Sequence, residues 1–104
     1  MAVVGADELH APMHIDAEVL SALGRLFRAG ELTAELVSAA LASLVAGPIE
    51  RHPLAPLLLG AWARRHNLSL RDALYVELAD QLGARLVTTD TRLAAATSLA
   101  DVVE

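Results

Sequence analysis

The stretch from Ser69 to Asp90 constrains the fold more than any other. Ser69 and Asp72 have the spacing of a capping box, and Leu70, Ala73, Leu74 and Leu78 repeat behind them at helical period. Gly83 then stops the helix. Arg85 to Thr89 (RLVTT) is the clearest strand signal in the chain, and Asp90 follows it at once. A capped helix that runs straight into a β-rich segment implies an α/β fold, a parallel sheet with right-handed crossovers. In an open sheet of that kind, strand ends and the helix starts beside them converge where ligands bind. Asp72 and Asp90 occupy such positions.

The segments before Ser69 follow the same alternation. Leu9 to Met13 reads as a short strand. A helix follows with Ile15, Val19, Leu23, Leu26 and Phe27 on one face, with Asp16 expected as its N-cap and Gly30 as its stop. Thr33 opens a second helix, striped by Leu36, Val37, Ala40, Leu41 and Leu44, that ends at Gly47 and Pro48; the two read as an αα-hairpin. Ile49 to His52 is a further short strand. Leu54 to Arg65 reads as a helix facing a core through Leu54, Leu57, Leu58, Ala61 and Trp62. Thr91 to Ala96 is expected as a last short helix, and Val102 with Val103 as a terminal edge strand. No repeat or Gly/Ser-rich linker divides the chain, so residues 1–104 are expected to form a single domain.

Composition narrows the function. Hydrophobic residues make up 55% of the 104 against 20% charged, which is the balance of a folded globular chain. With no cysteine, disulfide frameworks, thiolate zinc sites and thiol catalysis are excluded. The net charge of −5 argues against a broad basic face that coats nucleic acid, but not against an enzyme whose site needs clustered acids. MAVVGADELH lacks the character of a signal peptide, and the apolar run from Leu36 to Ile49 is too short and too interrupted to span a bilayer. The chain thus reads as soluble and cytoplasmic.

Three acids stand out: Glu18 and Asp72 in first helical turns, and Asp90 after a strand. Each has a plain structural reading, Glu18 favoured by the helix dipole, Asp72 in the capping box and Asp90 as a cap of the last helix. Together they form a set of oxygen donors without His or Cys, which suits hard cations such as Mg²⁺ or Mn²⁺. His10, His14, His52 and His66 lack the spacing of a helical zinc pair and read as surface or local hydrogen-bonding residues. The serines within helices lack a nucleophile elbow. Arg64, Arg65 and Arg71 flank the Asp72 helix and are candidates for holding phosphates.

These segments resemble the PIN-domain ribonucleases, in particular the VapC-type toxins of bacterial toxin–antitoxin modules. The likeness runs through LHAPMHIDAEVLSALGRL, the αα-hairpin, and IERHPLAPLLLGAWARRHNLSLRDALYVELADQLGARLVTTDTRL, and is sharpest at RDALYVELA and LVTTD. It implies a three-layer α/β PIN fold, a short parallel sheet flanked by helices, with acids that bind Mg²⁺ or Mn²⁺ and hydrolysis of RNA. Position by position, Glu18 matches the acid of the family's E-V-x-x-A-L helix, Asp72 that of its D-A-x-Y-V helix, and Asp90 that of its T-x-D strand end. Thr88 matches the hydroxyl residue of that last motif, where it would orient the acid or a water. The resemblance also implies a homodimer and a small antitoxin partner that covers the acidic pocket.

The chain departs from the family before Leu9. Relatives usually open with a central strand bearing another metal-binding Asp in a V-D-x-S-A-L-like stretch, which MAVVGADELH does not contain. The fold is therefore expected to lack the usual first strand, with Asp16 as the nearest other acid. Three functions follow as expectations: an active metal-dependent endoribonuclease, a catalytically inactive PIN domain that still dimerises or binds an antitoxin, and a plain interaction protein whose acids are only caps.

Overall fold

The computed structural model describes residues 1–5, 8–88 and 100–102. It divides into two compact units, one made of Met1–Met13 with Ile49–Glu104, the other of His14–Pro48.

The first unit is built on a five-stranded sheet. Its strands are β1 (Ala2–Val4), β2 (Leu9–Pro12), β3 (Ile49–His52), β4 (Arg85–Thr88) and β5 (Ala100–Val102), in the spatial order β3-β2-β1-β4-β5. β2 pairs parallel with β3, and β4 parallel with β5. β1 lies between the two pairs and is antiparallel to both neighbours, with Val3 opposite His10 on one side and Leu86 on the other. The expected parallel strands are thus present. The addition is β1: no parallel first strand opens the sheet, and the central place is taken by one arm of a hairpin whose turn is tied by Gly5 N–H to Glu8 O at 2.9 Å. Three short residues, Ala-Val-Val, carry too little periodicity to announce such a strand. Between the described edge strand β5 and β4, the expected helix at 91–96 lies outside the described residues.

One face of this sheet is covered by α4 (Leu70–Leu82), which packs on β1, β2 and β4. Its ends are those the sequence specifies. Ser69 Oγ accepts from Asp72 N–H at 3.2 Å. At the other end Gly83 adopts φ 60°, Gly83 N–H donates to Asp80 O and Ala84 N–H to Ala79 O, a Schellman closure. The stripe facing the sheet is Ala73, Val76 and Ala79, all fully buried, flanked by Tyr75 and Leu78. Small residues at that spacing let helix and strands approach closely. Together with Val3, Ala11, Leu57, Ala61 and Leu86 they form the core.

The segment expected as one helix from Leu54 to Arg65 is instead a 3₁₀ turn, Ala55–Leu57, followed by the short helix α3 (Leu58–Ala63). Pro56 occupies a first-turn position of the 3₁₀ segment, where no N–H partner is required. The turn and the short helix bury only Leu57 and Ala61 and leave Leu58 and Trp62 more than half exposed. With Leu70 and Leu74 of α4 they line an open apolar cleft of about 180 Å³. α3 is latched to α4 by Arg64, which bonds Glu77 at 3.2 Å and Asp80 at 3.0 Å; Gln81 holds the other Glu77 oxygen at 2.7 Å.

The second unit is the expected αα-hairpin, α1 (Ile15–Arg28) packed on α2 (Ala34–Ala46). α1 ends in a second Schellman closure at Gly30, φ 75°, with Glu31 N–H donating to Leu26 O. α2 starts at Thr33, whose hydroxyl accepts from Leu36 N–H at 3.2 Å. The N-cap of α1 is His14 rather than Asp16; the helix begins earlier, which leaves Asp16 and Glu18 in its first turn, at the positive end of the helix. Neither helix contains a buried residue.

Candidate functional site

The acids singled out in the sequence fall on separate elements. Glu18 sits in the first turn of α1, half-buried, with Oε1 3.2 Å from His14 Nε2 one turn earlier. Asp72 sits half-buried in the first turn of α4, its backbone N–H held by Ser69. These two acids belong to different compact units. Asp90 lies outside the described residues. Thr88 closes β4, opposite Val102 of β5.

Local chemistry at Glu18 and Asp72 suits a cation-binding role. Both carboxylates sit in a first helical turn, where the positive end of the helix favours a negative donor. The donors are oxygen only, which fits a hard divalent ion of the magnesium class. Of the arginines named as phosphate contacts, Arg64 is engaged by Glu77 and Asp80. Arg65 lies with its guanidinium carbon 4.7 Å above the Trp62 ring centroid, and Nη1 donates to Trp62 O at 3.1 Å. Arg71 follows the N-cap of α4 and is exposed.

A second group of side chains was not visible in the sequence. His10 of β2 is buried, 8% exposed, so of the surface or local hydrogen-bonding roles expected of the histidines it does not take the first. Its Nδ1 lies 2.9 Å from His52 Nε2 and 3.4 Å from Glu50 Oε2, both on β3, while its Nε2 lies 3.2 Å from Glu8 Oε2. The parallel register sets His10 opposite Glu50 and Pro12 opposite His52. Alternation along each strand then brings His10, Glu50 and His52 to one face. Local periodicity carries no record of that register, so two histidines 42 residues apart gave no spacing signal. One ligand atom from each of the three residues falls within 4.8 Å of the others, a group able to hold a metal ion.

An α/β domain with this strand order, this capped D-A-L-Y-V helix and acids at helix starts matches the PIN domain family over residues 2–99 and belongs to it. Within that family it is similar to VapC ribonucleases. It is 61% identical over 88 residues to Ribonuclease VapC3 of Mycobacterium tuberculosis, across 85% of this chain and 64% of that protein. Ribonuclease VapC1 of the same organism is 44% identical over 91 residues, 86% of this chain and 68% of the relative. Ribonuclease VapC9 is 38% identical over 91 residues, 88% and 72% respectively. The chain thus spans 64% of the length of the VapC3 protein it matches. Among the described residues, no helix is long and apolar enough to cross a membrane.

Proposed function

We propose that the chain is a metal-dependent endoribonuclease, the toxin component of a toxin–antitoxin module, acting in the cytoplasm on RNA phosphodiester bonds. The observation that carries this reading is the 61% identity to Ribonuclease VapC3. Glu18, Asp72 and Asp90 would hold Mg²⁺ or Mn²⁺; when bound, such an ion neutralises phosphate charge and lowers the pKa of a coordinated water. The chain's own residues supply the rest. The first-turn carboxylates are oriented by helices whose starts are fixed, at α4 by the Ser69 cap. Thr88 orients Asp90 or a water. Arg65 and Arg71 are the candidate contacts to the RNA backbone, while Arg64, named beside them, is held between α3 and α4 by Glu77 and Asp80. Residues 1–104 act as one domain in this reading.

The partners follow from the same reading. An antitoxin would cover the acids, and a second copy would form a homodimer. Two apolar surfaces support the need for partners: the α1–α2 hairpin, with Leu20, Phe27, Leu36 and Val45 all exposed by half or more, and the cleft of Leu58, Trp62, Leu70 and Leu74.

A second reading, an inactive PIN domain that binds antitoxin or dimerises, is favoured by β1. This strand runs antiparallel in the centre of the sheet, where the family's first strand carries a further metal-binding Asp. One experiment separates the two: incubation of the purified chain with mixed RNA in Mg²⁺ or Mn²⁺ and in EDTA, beside Asp72→Asn and Asp90→Asn. Metal-dependent cleavage lost in both variants supports the nuclease. A folded chain that leaves RNA intact under every condition supports the inactive module.

A further inference from the structure

We propose that His10, Glu50 and His52, backed by Glu8, form a binding site for a divalent transition cation of the zinc class, made of residues other than the three acids. Two imidazoles and one carboxylate are a donor set that zinc and its neighbours accept and that Mg²⁺ does not favour. The spacing fits. Bonds of about 2.0–2.1 Å in a tetrahedral site put neighbouring ligand atoms roughly 3.3 Å apart. His10 Nδ1 lies 2.9 Å from His52 Nε2 and 3.4 Å from Glu50 Oε2, on either side of that edge length. All three ligand atoms lie within 4.8 Å of one another, so an ion would draw the set together.

The surroundings of His10 point the same way. Glu8 Oε2 lies 3.2 Å from His10 Nε2, the far side of the ring from His52 and Glu50. In the tautomer in which Nε2–H donates to Glu8, Nδ1 presents its lone pair to the cluster. This is the carboxylate–histidine–metal arrangement, in which an outer carboxylate fixes the ring and raises its basicity. Without an ion, His10 Nδ1 faces both His52 Nε2 at 2.9 Å and Glu50 Oε2 at 3.4 Å. A cation satisfies all three at once. Access is open, because Glu50 is 61% exposed on the edge strand β3 while His10 is buried beneath it. Three protein ligands leave a position for water, the pattern of an open rather than a closed site.

Bound there, the ion ties β2 to β3, the strands that bracket residues 14–48 in the chain. A clip across so long a connection stabilises the folded state, since the unfolded chain offers no preformed site. The test is thermal unfolding of the purified chain with increasing Zn²⁺ in excess Mg²⁺, with Co²⁺ as an optical probe of coordination. Parent and Asp72→Asn are expected to gain roughly 10 °C or more in Tm when Zn²⁺ is about 100 times Kd, and to bring up visible Co²⁺ absorption. Glu50→Gln and His52→Gln are expected to weaken Zn²⁺ binding by more than tenfold, and Glu8→Gln by roughly tenfold. Glu50 is exposed, so its variant stays folded even where a histidine change does not. The proposal is overturned if the parent shows no Zn²⁺ shift, if Glu50→Gln keeps the parent's shift, or if Asp72→Asn loses it.

Discussion

In the proposed site Asp72 would have two separable jobs. The bond that starts α4 runs from its backbone N–H to Ser69 Oγ, so the capping does not use its carboxylate. Asp72→Asn should therefore abolish metal-dependent RNA cleavage and leave the thermal midpoint within a few degrees of the parent. Ser69→Ala is the complement: it removes the cap acceptor and is expected to lower stability by about 1 kcal/mol in denaturant titration, with the acid unchanged. Cleavage that survives Asp72→Asn would remove Asp72 from the metal set. Residues of this kind were legible in the sequence because a cap is a local event. Ser69, Thr33, Gly30 and Gly83 all act where spacing put them. Asp16 did not, since a helix in which His14 already adopts helical angles gains its first turn without a side-chain acceptor. His10 and His52 were illegible for the opposite reason: what joins them is a strand register, fixed by tertiary pairing and not by neighbouring residues.

At the scale of elements, the α3–α4 contact depends on an absence of volume. A Cβ at Gly60 would run into the Glu77 carboxylate. That carboxylate is not free to swing away, because Arg64 and Gln81 hold its two oxygens. Gly60→Ala should force Glu77 out, break the latch, and destabilise the fold by about 1–2 kcal/mol despite the better helix propensity of alanine; the denaturation midpoint measures this. The two helical regions also differ in burial. α4 buries Ala73, Tyr75, Val76, Leu78 and Ala79, whereas α1 and α2 bury nothing. Amide hydrogen exchange should accordingly be slowest in α4 and much faster throughout α1 and α2 in the isolated chain. Slowing of exchange in α1 and α2 when a partner is added would mark the surface it covers; equal protection in all three helices from the start would contradict the burial pattern. Helical period predicted each of these helices but not which stripe would be covered. Leu58 and Trp62 are apolar at core spacing and still face outward, since of this segment only Leu57 and Ala61 turn toward the core.

For the molecule as a whole, the centre of the sheet rests on three residues. Val3 is fully buried between His10 and Leu86, so Val3→Asp would place a charge with no partner at the middle of five strands. A loss of several kcal/mol is expected, enough to remove the cooperative unfolding transition seen by circular dichroism. A variant that still melts cooperatively near the parent's midpoint would show that β1 is not integral to the core.

β1 has one neighbour close by along the chain, β2, and another that begins only at Arg85. The hairpin can zip as soon as residues 2–12 are made, yet its outer edge stays open until the segment reaching Thr88 has left the ribosome. Nascent chains stalled short of that point therefore expose an unpaired strand edge flanked by Val3, a template for pairing with other nascent chains. Synthesis speed across residues 12–85 then sets how long each new molecule remains vulnerable to mispairing.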